Sequence, residues 1–358
     1  MLMRYWGRKP LELIDKIMID VHGTVIDPFG GGGTIVFSAL RHDNKAIYLD
    51  INPYAWLVTF VNVVSIDPKE FEEKSKEVLE NVYLGSVFSL HNDYLYYPNG
   101  KFFWKRRNAD RITEFFSREN FMKLFSILKS IDKVESETEV KIALYAAFCS
   151  SLFTSSRMKR RNSGSWGVPS YWVPKEHEEV NAEEAFKMSV KRFSSYFRRN
   201  KGYELNVDVK LLIGNALAFN YPDQSIVFTD PPYFDEIQYM ELSFFYWAWL
   251  RESNFKKVIR EVLGYEPEFR ISDEIIVNPN RGVTFDKYME TLKAFIIKVS
   301  KVNSKYLLFH YDNDKLREKV IKIVKENWTR IKVDDFEIVK QRKIGPRGGK
   351  KYLLVSSP

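Results

Sequence analysis

Apolar residues along the chain form short blocks whose spacing alternates between that of strands and that of helices. Runs rich in β-branched or aromatic residues lie at residues 24–26, 45–49, 211–213 and 226–229. Such runs next to turn-forming residues predict buried strands. A helix is predicted over residues 11–18, where apolar positions recur at helical spacing directly after a proline. Strands that alternate with helices predict an α/β fold around a mostly parallel sheet.

The later part of the chain continues this alternation. The pattern predicts helices over residues 242–250 and 285–300, and strands near residues 306–311, 331–339 and 352–355. The aromatic residues of the first of these helices are expected to belong mainly to the core. Residues 264–284 show neither the helical nor the strand spacing of apolar residues and are predicted to form a loop.

A long segment, residues 86–204, interrupts the strand pattern. Helical spacing recurs within it over residues 115–131, and residues 140–153 are apolar on nearly all sides of a helix, which predicts a small core of its own. We therefore predict one domain built from residues 1–85 and 205–358, with a largely helical inserted lobe between them.

The composition is that of a folded protein with more basic than acidic residues. Hydrophobic residues make up 45% and aromatic residues 15% of the 358 residues, which excludes a disordered chain. The formal charge of +8 fits a polyanionic partner, although an evenly spread charge would serve solubility alone. Lys, Glu and Ile are abundant and Gln is rare, which is typical of thermophilic proteins.

Signals for membranes, oxidising compartments and metals are missing from the sequence. No apolar stretch is long enough to span a bilayer, and residues 1–6 lack the apolar core of a signal peptide. The single Cys149 allows neither an internal disulfide nor a cysteine zinc cluster, and the five histidines lack metal-ligand spacing. We expect a cytoplasmic protein with no membrane segment and no bound metal.

The strand predicted at residues 226–229 stops at Asp230, Pro231, Pro232 and Tyr233. Proline has a fixed φ and no backbone N–H, so the ladder cannot continue and the turn is stiff. In an open parallel sheet, ligands bind where strands end. The turn offers a carboxylate, the Pro231 carbonyl and an aromatic ring, which together suit the exocyclic amine of a base. The alternative is an ordinary proline turn after a strand.

A glycine turn connects the first predicted strand to a helix. Asp27 follows the strand, four glycines occupy residues 30–33, and Thr34 opens the apolar helix at residues 35–40. Such a turn lets a ligand approach the backbone closely and aims a helix N-terminus at it. Asp27 can accept a hydrogen bond from an ammonium or an amide.

Asp50 ends the strand at residues 45–49, about 20 residues after the glycine turn, where an acidic residue can accept hydrogen bonds from ribose hydroxyls. It could instead cap the next helix. No Gly-Lys-Ser/Thr follows the glycines, so the predicted ligand is a nucleoside with an amino-acid tail rather than a triphosphate. Residues 5–10 could bind the carboxylate of that tail, or Trp6 could pack under the sheet.

Four motifs follow one another along the chain: Tyr-Trp-Gly-Arg-Lys-Pro at residues 5–10, Asp-Pro-Phe-Gly-Gly-Gly-Gly-Thr at 27–34, Leu-Asp-Ile-Asn-Pro at 49–53 and Asp-Pro-Pro-Tyr at 230–233. In wording and order they resemble motifs of the S-adenosylmethionine-dependent amino-methyltransferases that modify adenine N6 or cytosine N4 in DNA. Residues 234–246 are similar to the prokaryotic and archaeal adenine-specific DNA methylases, some of which carry a zinc ribbon that this chain lacks.

The resemblance implies a Rossmann-like class I methyltransferase sheet of about seven strands and S-adenosyl-L-methionine as cofactor. It implies catalytic roles for Asp230, Pro231, Pro232 and Tyr233. The residues it implies for the cofactor are Lys9, Asp27, Phe29, Gly30, Gly32, Thr34, Asp50, Ile51 and Asn215. The family usually has Asp where this chain has Asn215, which can still donate or accept a hydrogen bond to adenine.

Two basic stretches with aromatic residues lie in the inserted segment and are predicted to bind nucleic acid. Their residues are Lys105, Arg106, Arg107, Arg157, Lys159, Arg160, Arg161 and Trp166. Cations among Ser and Gly without balancing acids favour phosphate contacts, although a charge run can also be a solvated face. The basic loop at residues 340–351 is a second candidate.

We therefore expect methyl transfer to a base amine, with adenine N6 in double-stranded DNA as the substrate. Cytosine N4 methylation, methylation of RNA such as transfer-RNA guanine N2, and glutamine methylation in proteins use related turns and stay open as alternatives. A nucleic-acid-binding protein that keeps the pocket without turnover is a further alternative.

Overall fold

A computed structural model describes most of the chain. The described residues are 2–3, 5–82, 89–91, 93–97, 99–101, 103, 109–159, 172–232, 234–311, 314–339 and 349–358. Tyr233, residues 104–108 and residues 160–171 lie outside them, as does most of the basic loop at 340–351.

Within the described residues, seven strands form one sheet. They are β1 (Thr24–Asp27), β2 (Lys45–Asp50), β3 (Val209–Ile213), β4 (Ile226–Thr229), β5 (Ser304–Tyr311), β6 (Lys332–Val339) and β7 (Gly349–Ser357). Their order is β3-β2-β1-β4-β5-β7-β6. The pairs from β3 to β5 are parallel, and β7 runs antiparallel to both of its neighbours. The predicted α/β fold with a mostly parallel sheet is confirmed.

The strand order reverses between β1 and β4. From β1 the chain adds β2 and β3 on one side, then returns to add β4 and β5 on the other side. Parallel strands end at the same edge of a sheet, and ligands of open α/β sheets bind at that edge, where the order reverses. Asp27, Asp50 and Asp230 lie at or directly after the carboxyl ends of β1, β2 and β4.

Some α-helices of the described residues alternate with these strands, and others follow one another without a strand between them. They are α1 (Leu11–Met18), α2 (Thr34–Arg41), α3 (Pro53–Val63), α4 (Pro68–Glu80), α5 (Arg118–Lys133), α6 (Thr138–Leu152), α7 (Ala182–Arg199), α8 (Tyr239–Leu250), α9 (Phe255–Leu263), α10 (Phe285–Lys298) and α11 (Asp314–Asn327). Single-turn 3₁₀-helices occur at Ile271–Asp273 and Pro279–Arg281 within the predicted loop of residues 264–284. None of the helices in the described ranges combines the length and the apolar character needed to cross a membrane.

The chain divides into two compact units. The helical unit contains Met1–Trp6, Asn52–Leu205 and Tyr239–Ile271, and the sheet unit contains Gly7–Ile51, Asn206–Gln238 and Ser272–Pro358. The chain therefore leaves the sheet unit after β2 and again after β4. The helical unit includes the predicted lobe of residues 86–204 and also the stretches 52–85 and 239–271.

The core of the helical unit is rich in aromatic side chains. Every residue of α8 from Met240 to Leu250 is buried, as expected for a helix that is apolar all round. The Trp249 ring of this helix lies 5.3 Å from Phe116, 5.3 Å from Phe121 and 5.8 Å from Phe148 between ring centres. The prediction that this helix belongs to the core is confirmed.

The core of the sheet unit lies between the sheet and the helices α10 and α11. Phe295 of α10 and Val320 of α11 are buried against Leu307 and Phe309 of β5 and Leu353 of β7. Each such side chain stabilises the fold by about 1.5–3 kcal/mol relative to exposure to water. This packing covers one face of the sheet with α10 and α11.

Candidate functional site

The glycine turn between β1 and α2 needs glycine for two different reasons. Gly31 and Gly33 have φ values of 48° and 76°, in the left-handed region that side chains disfavour. Gly30 has no such φ, but a Cβ atom there would lie 2.1 Å from the Tyr48 ring. Gly33 also caps α2, so the turn leads directly into the N-terminus of that helix. Gly32 and Thr34 are buried within the turn and the first turn of α2.

The end of β2 holds this turn in place through three hydrogen bonds. The Gly30 N–H donates to the Leu49 carbonyl at 3.0 Å, and the Gly31 N–H donates to Asp50 Oδ2 at 2.8 Å. The Tyr48 hydroxyl donates to the Gly31 carbonyl at 2.9 Å. Asp50 thus supports the glycine turn as well as lying where a ribose acceptor is expected.

Tyr48 is a residue of this site that the sequence motifs did not include. Its side chain is fully buried, and its ring lies where a Cβ of Gly30 would be. Residues two apart on a strand share a face, so Tyr48 and Asp50 lie on the same side of β2. An aromatic residue two positions before Asp50, on the strand next to the one that the glycine turn follows, is the signal that could have identified Tyr48.

Asp27 lies buried at the point where the strand order reverses. Its Oδ1 accepts hydrogen bonds from the Thr229 hydroxyl at 2.7 Å and from the Phe29 N–H at 3.3 Å. Burial raises the pKa of its carboxyl to about 8, against the lowering effect of these bonds, and the nearby charges of Asp230 and Asp50 act in the same direction as burial. A cationic ligand would therefore stabilise the ionised form of Asp27.

Lys9, predicted to contact the cofactor, forms an ion pair with Asp230. Both side chains are largely buried, with 5% and 17% of their surfaces exposed. The Lys9 ammonium also lies 5.8 Å from the centre of the Tyr352 ring. Burial, together with the negative charges of Asp230 and Glu236, raises the pKa of Tyr352 to about 12. An ammonium therefore compensates the carboxylate at the end of β4.

The turn that follows Asp230 is held at its carbonyl groups. The Tyr288 hydroxyl donates to the Pro232 carbonyl at 3.0 Å, and the Val277 N–H donates to the Phe234 carbonyl at 2.8 Å. Within the described part of the chain, no donor reaches the Pro231 carbonyl. The turn thus presents the Asp230 carboxylate and the Pro231 carbonyl side by side in sequence. Tyr233 lies outside the described residues.

Other predicted cofactor residues have local structural roles. Asn215 follows β3, and its Oδ1 accepts from the Leu217 N–H at 2.8 Å, which leaves its amide nitrogen as the atom suited to an adenine. The Phe29 ring packs edge-on against Phe295 at 4.9 Å and belongs to the border of the core. Ile51 is half-buried directly after Asp50.

The start of the chain is divided between the two units. Trp6 is buried in the helical unit, where its ring lies 6.1 Å from Tyr54 and 6.3 Å from Tyr246. Lys9 belongs to the sheet unit. The structure groups Trp6 with aromatic residues of the helical unit and Lys9 with Asp230 of the sheet unit. A tail-carboxylate site at residues 5–10 stays a prediction.

Two of the predicted nucleic-acid-binding residues lie in the described part of the helical unit. Lys159 forms a salt bridge with Glu178 at 2.8 Å, with 37% of each side chain exposed. The Arg157 guanidinium donates to the Glu114 carbonyl. Lys159 therefore has a balancing acid, and the prediction that these cations lack one is wrong for this residue. Lys105, Arg106, Arg107, Arg160, Arg161 and Trp166 lie outside the described residues.

The carboxyl edge of the sheet brings together most of the predicted site. Four adjacent strands contribute Asp50, Asp27 with its glycine turn, Asn215 and Asp230, and Lys9 joins them from the segment before α1. Among the described residues, no group of three or more His, Cys, Asp or Glu side chains is arranged to hold a metal ion.

Comparison with known proteins finds no matching family model, no matching curated protein and no matching solved structure.

Proposed function

We propose that this chain is an S-adenosylmethionine-dependent methyltransferase acting on the exocyclic amine of a nucleic-acid base, with adenine N6 in DNA as its substrate. The observation that carries the proposal is the meeting of the glycine turn, Asp27, Asp50 and Asp230 at one edge of the three adjacent strands β2, β1 and β4. Residues that are far apart in sequence thus converge on the place where open α/β sheets bind ligands.

The strand order supports a Rossmann-like class I sheet as part of this proposal. The order β3-β2-β1-β4-β5 matches the first five positions of the doubly wound arrangement, in which a glycine turn after β1 faces the ligand. The seven strands agree with the number implied by the sequence motifs. The reversed β7 between β5 and β6 completes the sheet.

The residues present fit S-adenosyl-L-methionine. Its positively charged sulfonium and ammonium groups suit an edge with three carboxyl groups, one of which, Asp27, has a pKa raised by burial and by its acidic neighbours. Gly30, Gly31 and Gly33 leave the backbone of the turn free of side chains. Asp27, the glycine turn, Asp50 and Asn215 would hold the cofactor, which supplies an activated methyl group.

Asp230 and Pro231 would prepare the base amine. The nitrogen lone pair of an aromatic amine is delocalised into the ring, so the nitrogen is a poor nucleophile. The Asp230 carboxylate and the Pro231 carbonyl can each accept one N–H bond, which draws the nitrogen toward a tetrahedral form. The base would have to be turned out of its duplex to reach this turn.

Tyr288 and Lys9 would fix the geometry of these acceptors. The Tyr288 hydroxyl occupies the Pro232 carbonyl, and Lys9 holds one oxygen of Asp230. A turn held in advance does not need to be ordered when the substrate arrives. The ion pair also offsets the cost of keeping a carboxylate in a partly buried site.

The decisive experiment is incubation with methyl-labelled cofactor and separate samples of duplex DNA, single-stranded DNA, transfer RNA and protein, followed by digestion and identification of the labelled product. We expect labelled N6-methyl-2′-deoxyadenosine from DNA. The matched control is Asp230→Asn, which keeps the shape of the side chain and removes its charge.

Other products would redirect or refute the proposal. Labelled N4-methylcytosine, a methylated RNA guanine or methylglutamine would assign the same chemistry to another substrate. Cofactor binding by calorimetry without transfer to any sample would indicate a silent binding protein. No cofactor binding at all would overturn the proposal.

A further inference from the structure

Phe234, directly after the proposed catalytic turn, has a backbone conformation that is unusual for its size. Its φ is 52°, in the left-handed region where a bulky side chain is a genuine outlier. The residue is nevertheless 38% exposed, so the core does not enclose it. Backbone strain of this kind is concentrated at functional sites.

The surrounding residues hold Phe234 in this conformation. Its carbonyl accepts from the Val277 N–H at 2.8 Å, and the Val277 carbonyl accepts from the Gln238 side chain at 3.0 Å. The Asn278 side chain donates to the same Gln238 at 2.8 Å. One backbone hydrogen bond and two side-chain amides therefore tie the residues after the turn to the loop around Val277.

The exposed ring belongs to a small array of aromatic and cationic groups in the sheet unit. The Phe234 ring meets Phe285 at 5.7 Å between ring centres, at an interplanar angle of 68°. The ammonium of Lys319 on α11 lies 4.4 Å from the centre of the Phe285 ring. Phe285 is half-buried and Lys319 is exposed. An aromatic face and a cation are thus presented together, beside the end of β4.

We propose that Phe234, Phe285 and Lys319 form a subsite for a nucleotide next to the target base in the same strand. The proposal rests on the function proposed above and adds a contact to it. The Phe234 ring stacks on the neighbouring base, and the Lys319 ammonium binds a backbone phosphate. Glycine would adopt the left-handed φ without strain, so an exposed phenylalanine at this position points to a use for the ring itself.

Substitutions at Phe234 separate the ring from the backbone conformation. Phe234→Gly removes the ring and relieves the strain, Phe234→Ala removes the ring and keeps the strain, and Phe234→Trp keeps an aromatic face. Affinity is measured by fluorescence anisotropy with a short adenine-containing DNA duplex labelled at one end with fluorescein. Cofactor affinity, measured by calorimetry, reports whether each variant is folded.

We expect Phe234→Gly and Phe234→Ala to bind the duplex roughly 5- to 150-fold more weakly, the loss expected for one stacked base. Phe234→Trp should bind nearly as well as the wild type. In an active preparation the same two variants should raise KM for DNA more than they lower kcat. Unchanged duplex affinity in a Phe234→Gly protein that still binds cofactor would overturn the subsite.

Lys319 provides an independent test through salt dependence. Lys319→Gln should flatten the slope of log affinity against log salt by about 0.9, the value for one duplex phosphate. The control is Lys325→Gln, because Lys325 is an exposed lysine of the same helix, about 120° around it. Equal slopes for the two variants would remove the phosphate contact from the proposal.

These outcomes are distinguishable from a failure of the proposed function. The anisotropy measurement needs no methyl transfer, so a wild-type protein that binds the duplex without methylating it would refute the proposed function alone. A wild-type protein that methylates DNA and is indifferent to Phe234→Gly would refute the subsite alone.

Discussion

The Thr229 hydroxyl at the end of β4 donates a hydrogen bond of 2.7 Å to the Asp27 carboxyl at the end of β1, although 202 positions separate the two residues. The bond crosses the point where the strand order reverses. It links the strand that carries the glycine turn to the strand that carries Asp230. The protonation state of Asp27 therefore matters both for the fold and for a cationic ligand.

Asp27→Asn should change how stability depends on pH. The pKa of Asp27 is raised from 3.8 to about 8 by burial, so between these values the folded protein keeps a proton that the unfolded chain loses. The contribution of Asp27 to the free energy of unfolding should then fall by about 1.4 kcal/mol per pH unit as pH rises through this window, and level off above it. Asn cannot titrate, so the variant should lack this slope. Urea unfolding of both proteins from pH 5 to pH 9 measures the difference, and parallel curves would contradict it.

The Lys9–Asp230 pair should show strong coupling. Either Lys9→Met or Asp230→Asn alone breaks a largely buried ion pair, whereas the double variant removes both charges. We expect a coupling free energy of about 0.5–3 kcal/mol in a double-mutant cycle of unfolding measurements. Additive effects would mean that the pair does not contribute to stability.

Asp230→Asn should also separate binding from chemistry. If the carboxylate acts on the amine mainly in the transition state, methyl transfer should fall while cofactor affinity stays the same. Single-turnover transfer and calorimetry measure the two quantities. Near wild-type turnover in the variant would refute the role of Asp230.

Gly30→Ala should damage the site through Tyr48. The added Cβ would lie 2.1 Å from the Tyr48 ring, so the ring or the turn must move, and overpacking of this kind costs about 1–3 kcal/mol. Gly214→Ala is the matched control, because its Cβ would meet only the Leu49 side chain at 3.3 Å. Thermal unfolding and cofactor affinity should both be worse for Gly30→Ala. Equal values for the two variants would argue against the close contact.

Asp50→Ala should weaken cofactor binding by roughly 1–3 kcal/mol, because it removes an acceptor for the ligand and releases the Gly31 N–H. Asp50→Asn keeps one acceptor oxygen and should lose less. Calorimetry on the two folded variants makes the comparison. An unchanged affinity in Asp50→Ala would exclude Asp50 from the cofactor site.

Neutralising Arg157, Lys159, Arg160 and Arg161 together should flatten the salt dependence of DNA binding by up to about four units, while cofactor affinity stays the same. Lys159→Gln alone should change the salt dependence of DNA binding less than neutralising an unpaired cation would, because Lys159 already forms a salt bridge with Glu178. If slope and affinity are unchanged in the folded quadruple variant, this loop is a solvated surface and the loop at residues 340–351 becomes the next candidate.

The chemistry of neighbouring residues in the sequence is enough to predict many of the strands, helices and turns of this protein. Proline without an N–H ends β4 at Thr229, the glycines permit the left-handed turn before α2, and apolar periodicity marks α1, α8 and α10. These signals act between residues a few positions apart. They predicted the parallel strands of the sheet and placed the candidate site residues at the ends of those strands.

Only the tertiary structure decided which of these residues meet. Lys9 pairs with Asp230, Thr229 bonds to Asp27, and the Tyr48 ring lies under Gly30. The same holds for residues 52–85 and 239–271, which join the helical unit, and for the salt bridge that balances Lys159. Periodicity and propensity carry information about neighbours in the chain, whereas these contacts join strands and loops whose proximity depends on how the whole sheet is assembled.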